Sequence, residues 1–186
     1  MFAVEKINEI KQDVLYAVKY TECLHCCEGY QDEFQRLFDC WADVQFLYDY
    51  FSENKLLINK GFYDYSIEEA IERTIDDADA WENVFLDAKK EKILNLFKPL
   101  HQVYYDKDYE QMKAYGTHTK SWLRLYGIKI DNEIIVITGG GIKLTRTIND
   151  TVLAYELDKM KQVKTWLIQN TIIDKDSLTD YINLEL

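Results

Sequence analysis

The chain has 186 residues, of which 47% are hydrophobic, and it carries a formal net charge of −11 at pH 7. This composition can build a packed core, so it excludes global disorder. No apolar run approaches the roughly 18 residues that a membrane span requires. We therefore expect one soluble domain, residues 1–186, with no membrane partner.

The charge is unevenly distributed along the chain. Residues 1–100 have 11 basic and 21 acidic side chains, a balance of −10, whereas residues 101–186 are close to neutral at −1. Within the second half, residues 112–148 carry a net charge of +4. The overall charge opposes a bulk polyanion-binding function, but it allows a small local cationic site.

The first 60 residues predict two strands and a helix. Apolar alternation indicates a strand near residues 2–7 and another over residues 14–20, and these would form a hairpin or two edge strands. Apolar residues at spacings of three, four and seven predict a helix over residues 32–54. Its apolar stripe would be Phe34, Leu37, Phe38, Trp41, Val44, Tyr48 and Phe51.

A second long helix is predicted to follow. Ser66 and Glu69 have the spacing of a capping box, and Pro99 would stop the helix near residue 97. The two helices would form an antiparallel hairpin over residues 30–98. Its solvent side would be acidic, with Glu68, Glu69, Glu72, Asp76, Asp79 and Glu82.

Strands dominate the next part of the chain. A polar loop is expected over residues 100–120, followed by strands over residues 122–130 and 134–138. The second of these has no polar alternation, which indicates burial on both faces at the centre of a sheet. Three glycines, Gly139, Gly140 and Gly141, would break that strand.

The C-terminal part predicts helices. Residues 142–147 would be a short strand or an extended loop, Asn149 or Asp150 would cap a helix, and residues 177–180 would start a last helical turn. The resulting fold class is α+β: a small antiparallel or mixed sheet with a helical hairpin insertion and C-terminal helices. The helices would pack against one face, and residues 120–168 would form the strand-rich core plus helix.

The glycine run is the most distinctive motif, and it has two interpretations. The three glycines could form a β-bulge or a sharp turn at the end of a sheet. Alternatively, Gly139, Gly140 and Gly141 could leave the backbone bare so that a ligand approaches it, with Lys143 and Arg146 beside it.

Other residue types that carry chemistry are sparse. Cys23, Cys26 and Cys27 include one C-x-x-C pair, whereas a tetrahedral zinc site usually needs four ligands from two pairs. We therefore predict no metal and no cofactor, with the cysteines left as the one alternative. His101 and His118 are candidate general acids or bases in the polar loop, or ordinary surface histidines.

The order of motifs in the second half matches a known pattern. A strand with Arg124 is followed by a turn, an Ile/Val strand, glycines, then Lys143 and Thr145 ahead of a helix. This pattern resembles the RelE/HigB-like superfamily of type II toxin–antitoxin toxins, most closely over residues 120–168. It also resembles an uncharacterised bacterial family with the signature RLYxIK…VITGGxIKLT.

The resemblance implies an α+β toxin that cleaves mRNA at the ribosome and is neutralised by an antitoxin. In that reaction a 2′-hydroxyl attacks the adjacent phosphate, and basic groups stabilise the phosphorane charge. Carried over, Arg124 and Lys143 match basic positions and Thr145 matches the family threonine, while Arg146 adds a further cation. The protein would then be cytoplasmic and would act without a cofactor.

A second function stays open at this point. The family's His-Gly is Thr138-Gly139 here, its second lysine is Leu144, and the chain lacks a strongly basic surface. The chain could therefore be a non-catalytic interaction module that binds a basic partner through its acidic helical face. Convergence of Arg124, Lys143 and Arg146 in one cleft would favour the enzyme.

Overall fold

The computed structural model describes residues 3–21, 29–59, 63–100, 108–145 and 151–184, with only the backbone at residues 151–153. It contains six strands in the described parts: β1 (Val4–Lys11), β2 (Leu15–Tyr20), β3 (Lys98–Pro99), β4 (Tyr109–Tyr115), β5 (Leu123–Ile130) and β6 (Ile134–Ile142). The helices there are α1 (Glu33–Ala42), α2 (Val44–Glu53), α3 (Lys55–Asn59), α4 (Ile67–Asp87), α5 (Lys90–Leu96), α6 (Thr151–Gln169) and α7 (Lys175–Leu184). This arrangement confirms the predicted α+β class with a mixed sheet.

One sheet contains all six strands in the order β1-β2-β6-β5-β4-β3. The predicted N-terminal hairpin is present, because β1 and β2 pair antiparallel. β2 and β6 are parallel neighbours, and every other pair in the sheet is antiparallel. The apolar strand β6 therefore lies at the centre of the sheet, as its sequence predicts.

Helices cover both faces of this sheet, so the expectation that they pack against one face is wrong. On one face, Ile135 and Ile137 of β6 pack in a core with residues of α1–α5. On the other face, Ile134 and Val136 pack against α6 and α7. A central strand that is apolar on both sides requires cover on both sides, and α6 supplies the second layer.

The helical region differs in detail from a two-helix hairpin. The helix predicted over residues 32–54 is divided at Asp43, whose side chain accepts a hydrogen bond from the Phe46 N–H and starts α2. The division rotates the apolar stripe, so Val44 and Tyr48 are 58% and 49% exposed instead of buried. The capping box at Ser66 is confirmed.

Two further elements were assigned wrongly from the sequence. α4 ends at Asp87, and a separate helix, α5, precedes Pro99. The polar loop expected over residues 100–120 contains the strand β4, which pairs with β5. None of the helices in the described segments is long and apolar enough to cross a bilayer.

The glycine run lies inside β6 and does not break it. Tyr126 pairs with Gly139 and Gly127 pairs with Ile137, so Thr138 is the extra residue of a β-bulge. A side chain at Gly140 would strike the carbonyl oxygen of Arg124 and lie 2.9 Å from Leu37 Cδ1. The bulge and this close packing explain part of the glycine run.

We predict that Gly140→Ala destabilises the fold by about 1–3 kcal/mol, because a rigid backbone oxygen occupies the space that a methyl group needs. Gly141→Ala is the matched control. Among the described residues, no atom outside its chain neighbours lies within 4 Å of a Cβ added there, so its effect should stay within about 0.5 kcal/mol. Urea unfolding followed by tryptophan fluorescence measures both, and equal effects would contradict this account of the strand.

Candidate functional site

The candidate site surrounds residues 139–141 of β6, which we call the glycine strand. It starts where β2 and β6 separate, because these parallel strands pair only over residues 15–17 and 135–137. The helices that follow them, α1 and α6, lie on opposite faces of the sheet. In open α/β sheets such a switch point is the usual place for a ligand. We call this separation the fork.

Side chains replace the missing strand along β6 beyond the fork. The Tyr20 hydroxyl donates to the Thr138 carbonyl at 2.7 Å. The Gly140 N–H donates to Glu156 Oε2 at 3.1 Å. The Tyr50 hydroxyl donates to the Ile142 carbonyl at 2.9 Å. Three backbone groups on this edge are therefore satisfied by side chains of the protein instead of by another strand.

Four charged side chains fill the fork, and we call them the ion quartet. Lys159 is fully buried, and its Nζ lies 2.7 Å from Glu33 Oε2 and 3.1 Å from Glu156 Oε2. Arg36 binds Glu33 through two nitrogens, each at 2.8 Å. The quartet joins α1 to α6 across the sheet, and its two acids balance its two bases.

The two glutamates of the quartet have opposite pKa shifts. Lys159 and the two-point bond from Arg36 outweigh the burial of Glu33 and lower the pKa of that carboxyl. Burial, together with repulsion by Glu33, raises the pKa of Glu156, although Lys159 opposes this shift. The two carboxylates raise the pKa of Lys159 against its burial. A buried group with a shifted pKa is a common mark of a functional site.

The ion quartet also explains Gly139. A Cβ at this position would strike Glu156 Oε2 and lie 3.0 Å from Lys159 Nζ. The group that approaches the bare backbone at Gly139 is therefore the carboxylate of Glu156. At Gly141, two residues further along, the described residues leave open space where a side chain would be.

Basic and aromatic side chains lie across three strands on the other side of the glycine strand. Lys98 pairs with Lys113, and Tyr115 pairs with Arg124, which in turn pairs with Gly141. Arg124 lies between Leu123 and Leu125, which pack in the α1–α5 core, so Arg124 faces the α6 side. We call Lys98, Lys113, Tyr115 and Arg124 the basic row.

Arg124 is held firmly within the basic row. Its guanidinium donates to the carbonyls of Ser121 and Leu123 at 2.8 and 2.7 Å. The guanidinium carbon lies 4.2 Å from the centre of the Tyr115 ring. Partial burial lowers the pKa of Arg124, although the group stays a cation. Within the described segments, neither Arg124 nor Lys113 forms an ion pair with a carboxylate.

Lys143, Thr145 and Arg146 belong to the segment after β6. The Lys143 N–H donates to the Trp122 carbonyl at 2.7 Å, which places Lys143 two positions beyond Gly141 in the pairing with β5. Arg124 and Lys143 therefore occupy neighbouring places on adjacent chain segments. Thr145 is partly buried. Arg146 lies outside the described residues.

The three cysteines of the motif and two histidines also lie outside the described residues: Cys23, Cys26, Cys27, His25 and His101. The backbone N–H of His118 donates to Asp77 at 2.9 Å, so this histidine belongs to a turn anchored on α4. No group of histidine, cysteine and acidic side chains suited to a metal occurs in the part of the chain that the structure describes.

Sequence reasoning missed the ion quartet, although part of its signal was present. Glu156 and Lys159 fall at helical spacing with Met160, Val163 and Leu167, which form the buried stripe of α6. Charged residues on an apolar stripe indicate a buried ionic site. The partners on α1 are 126 residues away along the chain, so one sequence alone does not connect them.

Comparisons with known proteins do not add to this site. No protein-family model, curated protein or solved structure matches the chain. The geometry of the glycine strand, the ion quartet and the basic row is therefore the basis for a functional proposal.

We predict that Lys159→Met destabilises the fold by about 3–5 kcal/mol, because it leaves two buried carboxylates without their shared cation. Lys175→Met is the control, since Lys175 forms an exposed pair with Asp13 at 3.1 Å, and such surface pairs contribute little to stability. Chemical unfolding at neutral pH measures both variants. Similar losses of unfolding free energy in the two variants would show that the quartet contributes no more to stability than a surface ion pair.

Proposed function

We propose that the protein is a toxin-like member of a type II toxin–antitoxin pair that acts on RNA in the translation apparatus. The basic row is its RNA-binding surface. One observation carries this proposal: the Arg124 guanidinium lies 4.2 Å from the centre of the Tyr115 ring and is paired in register with the bare Gly141.

The chemistry of the basic row suits single-stranded RNA. Lys98 and Lys113 stand directly opposite each other on neighbouring strands, where like charges repel. A phosphate between them would relieve that repulsion. Tyr115 is 42% exposed, and exposed aromatic rings and arginine planes stack on unpaired bases. Phosphate and base recognition thus lie side by side.

The position of the basic row also limits the repulsion that the net negative charge of the protein exerts on RNA. Residues 1–100 hold nearly all of the excess negative charge, at −10 of −11. Most of the acidic residues described in that part of the chain lie in α1–α5, on the face of the sheet opposite Arg124. Electrostatic repulsion falls with distance and is screened within about 10 Å at 0.1 M salt. A short RNA segment can therefore approach the basic row from the α6 side.

The resemblance to RelE/HigB-like toxins suggests the reaction. A ribose 2′-hydroxyl would attack the adjacent phosphate and release its proton to water. The bond from phosphorus to the 5′-oxygen of the next nucleotide would break, and that oxygen would take up a proton, which leaves a 2′,3′-cyclic phosphate and a free 5′-hydroxyl. Arg124 with Lys143 would stabilise the negative charge that develops on the phosphorane oxygens. Thr145 would take the place of the family threonine, and Arg146 would supply a further cation. A cognate antitoxin would neutralise the protein, and the site of action would be the cytoplasm.

We predict that Lys113→Ala/Arg124→Ala weakens binding of a fluorescent single-stranded RNA by about tenfold or more, because it removes two phosphate contacts and the support of a stacking ring. The slope of log affinity against log salt should become shallower by about one to two. Fluorescence anisotropy over a salt series gives both quantities.

The matched control for this experiment is Lys19→Ala/Lys175→Ala. It removes the same charge from two lysines that pair with Glu5 and Asp13, away from the basic row. Equal losses in both double variants would show that the RNA senses only net charge, and the assignment of the basic row would then be wrong.

A second function has one specific observation in its favour. Glu82 on α4 is partly buried near Asp39 and Asp79, and burial followed by repulsion from these carboxylates raises its pKa. A basic protein partner would relieve this repulsion, as expected for an interaction module that binds through its acidic helical face. Binding of a basic peptide that Asp39→Asn/Asp79→Asn weakens and the basic-row variant leaves intact would favour this function.

A further inference from the structure

The ion quartet lies inside the protein, so the surface chemistry of the basic row does not explain it. It consists of Glu33, Arg36, Glu156 and Lys159, and all four residues are buried. A hydrophobic cluster of similar volume would often be as stable as such a set of charges. The presence of the ion quartet calls for a role in addition to stability.

The contacts of Glu156 indicate that role. One of its oxygens, Oε2, accepts from the Gly140 N–H at 3.1 Å and from Lys159 Nζ at 3.1 Å. The same carboxylate occupies the space in front of Gly139. Glu156 therefore fixes two consecutive residues of the glycine strand, and the next residue, Gly141, is the partner of Arg124 in the sheet.

We propose that the ion quartet is a positioning site for RNA binding, in which Glu156 holds the glycine strand so that Gly141 and Arg124 keep their alignment. This inference rests on the proposed function. Glu156 is a positioning residue and does not contact the RNA. Lys159 fixes the carboxylate, and Glu33 with Arg36 fixes Lys159 from α1.

The hold of Glu156 on the glycine strand depends on the negative charge of its carboxylate. Lys159 faces it from α6, Glu33 and Arg36 face it from α1, and the Gly140 N–H faces it from β6. The Tyr20 ring of β2 lies 4.9 Å from Lys159 Nζ. Protonation of Glu156 would leave Lys159 with Glu33 as its single anionic partner and would weaken the support of the glycine strand.

The sign of the pH effect follows from these contacts. Burial raises the pKa of Glu156 above its usual value, so this carboxyl takes up a proton at a higher pH than an exposed glutamate does. RNA affinity should therefore fall as pH is lowered through the pKa of Glu156. Protonation of surface histidines would instead increase affinity for a polyanion, so the two effects have opposite directions.

Glu156→Gln tests the proposal, because glutamine keeps the size and one acceptor oxygen but removes the charge. We expect about tenfold weaker binding of the fluorescent RNA at pH 8 and no further loss toward low pH. The wild type should bind well at pH 8 and lose affinity as the pH is lowered. Glu5→Gln, which removes the charge of an exposed pair with Lys19, should follow the wild type throughout.

A measurement without RNA separates this proposal from the proposed function. In ¹⁵N-resolved NMR of the wild type, the Gly140 amide should titrate with Glu156, and the signals of Gly141 and Arg124 Nε should move at the same pH. This measurement needs no variant, so it remains decisive if Glu156→Gln does not fold.

The possible results differ clearly. RNA binding that is identical in wild type and Glu156→Gln at every pH overturns the positioning role and leaves the proposed function standing. A Gly140 amide that titrates while Gly141 and Arg124 stay still also overturns it. Absence of RNA binding by the wild type overturns the proposed function. In that case, coupled movement of the three NMR signals would still show that the charge of Glu156 determines the position of the glycine strand.

Discussion

A fully buried lysine is the constraint on which the rest of the structure depends. Lys159 binds glutamates from two different helices at the fork, where the parallel strands β2 and β6 separate. Without a cation there, Glu33 would keep only Arg36, and Glu156, which accepts from the Gly140 N–H, would be buried without the cation that binds it. The quartet therefore joins the two helical layers and completes the edge of the central strand at the same time.

The glycine strand connects this buried site to an exposed one. On one side it is contacted by Glu156, and on the other it continues to Gly141, which pairs with Arg124. The three glycines thus have three different surroundings: the quartet, a close contact with α1 and β5, and open space. The basic row lies on the sheet face opposite the acidic helices, and this separation allows a chain of charge −11 to present a local cationic surface.

Local sequence signals predicted the elements that local physics determines. The capping box of α4, the N-terminal hairpin and the burial of β6 on both faces all depend on residues close together in the chain. The division at Asp43 was missed because a continuous apolar spacing concealed a residue that caps a new helix. β4 was missed because an outer strand with polar residues resembles a loop. The position of Arg124 beside Lys143 follows from strand pairing, whereas the quartet depends on a contact across 126 residues.

Induced expression in a bacterial host shows whether the basic row stops translation, with protein synthesis followed by incorporation of a labelled amino acid. We expect rapid arrest by the wild type and by Lys19→Ala/Lys175→Ala, and normal synthesis with folded Lys113→Ala/Arg124→Ala. Normal synthesis at a high level of folded wild-type protein would contradict this expectation, as would equal arrest by all three proteins. The first of these results would favour an interaction module, and the second would place the toxicity on another surface.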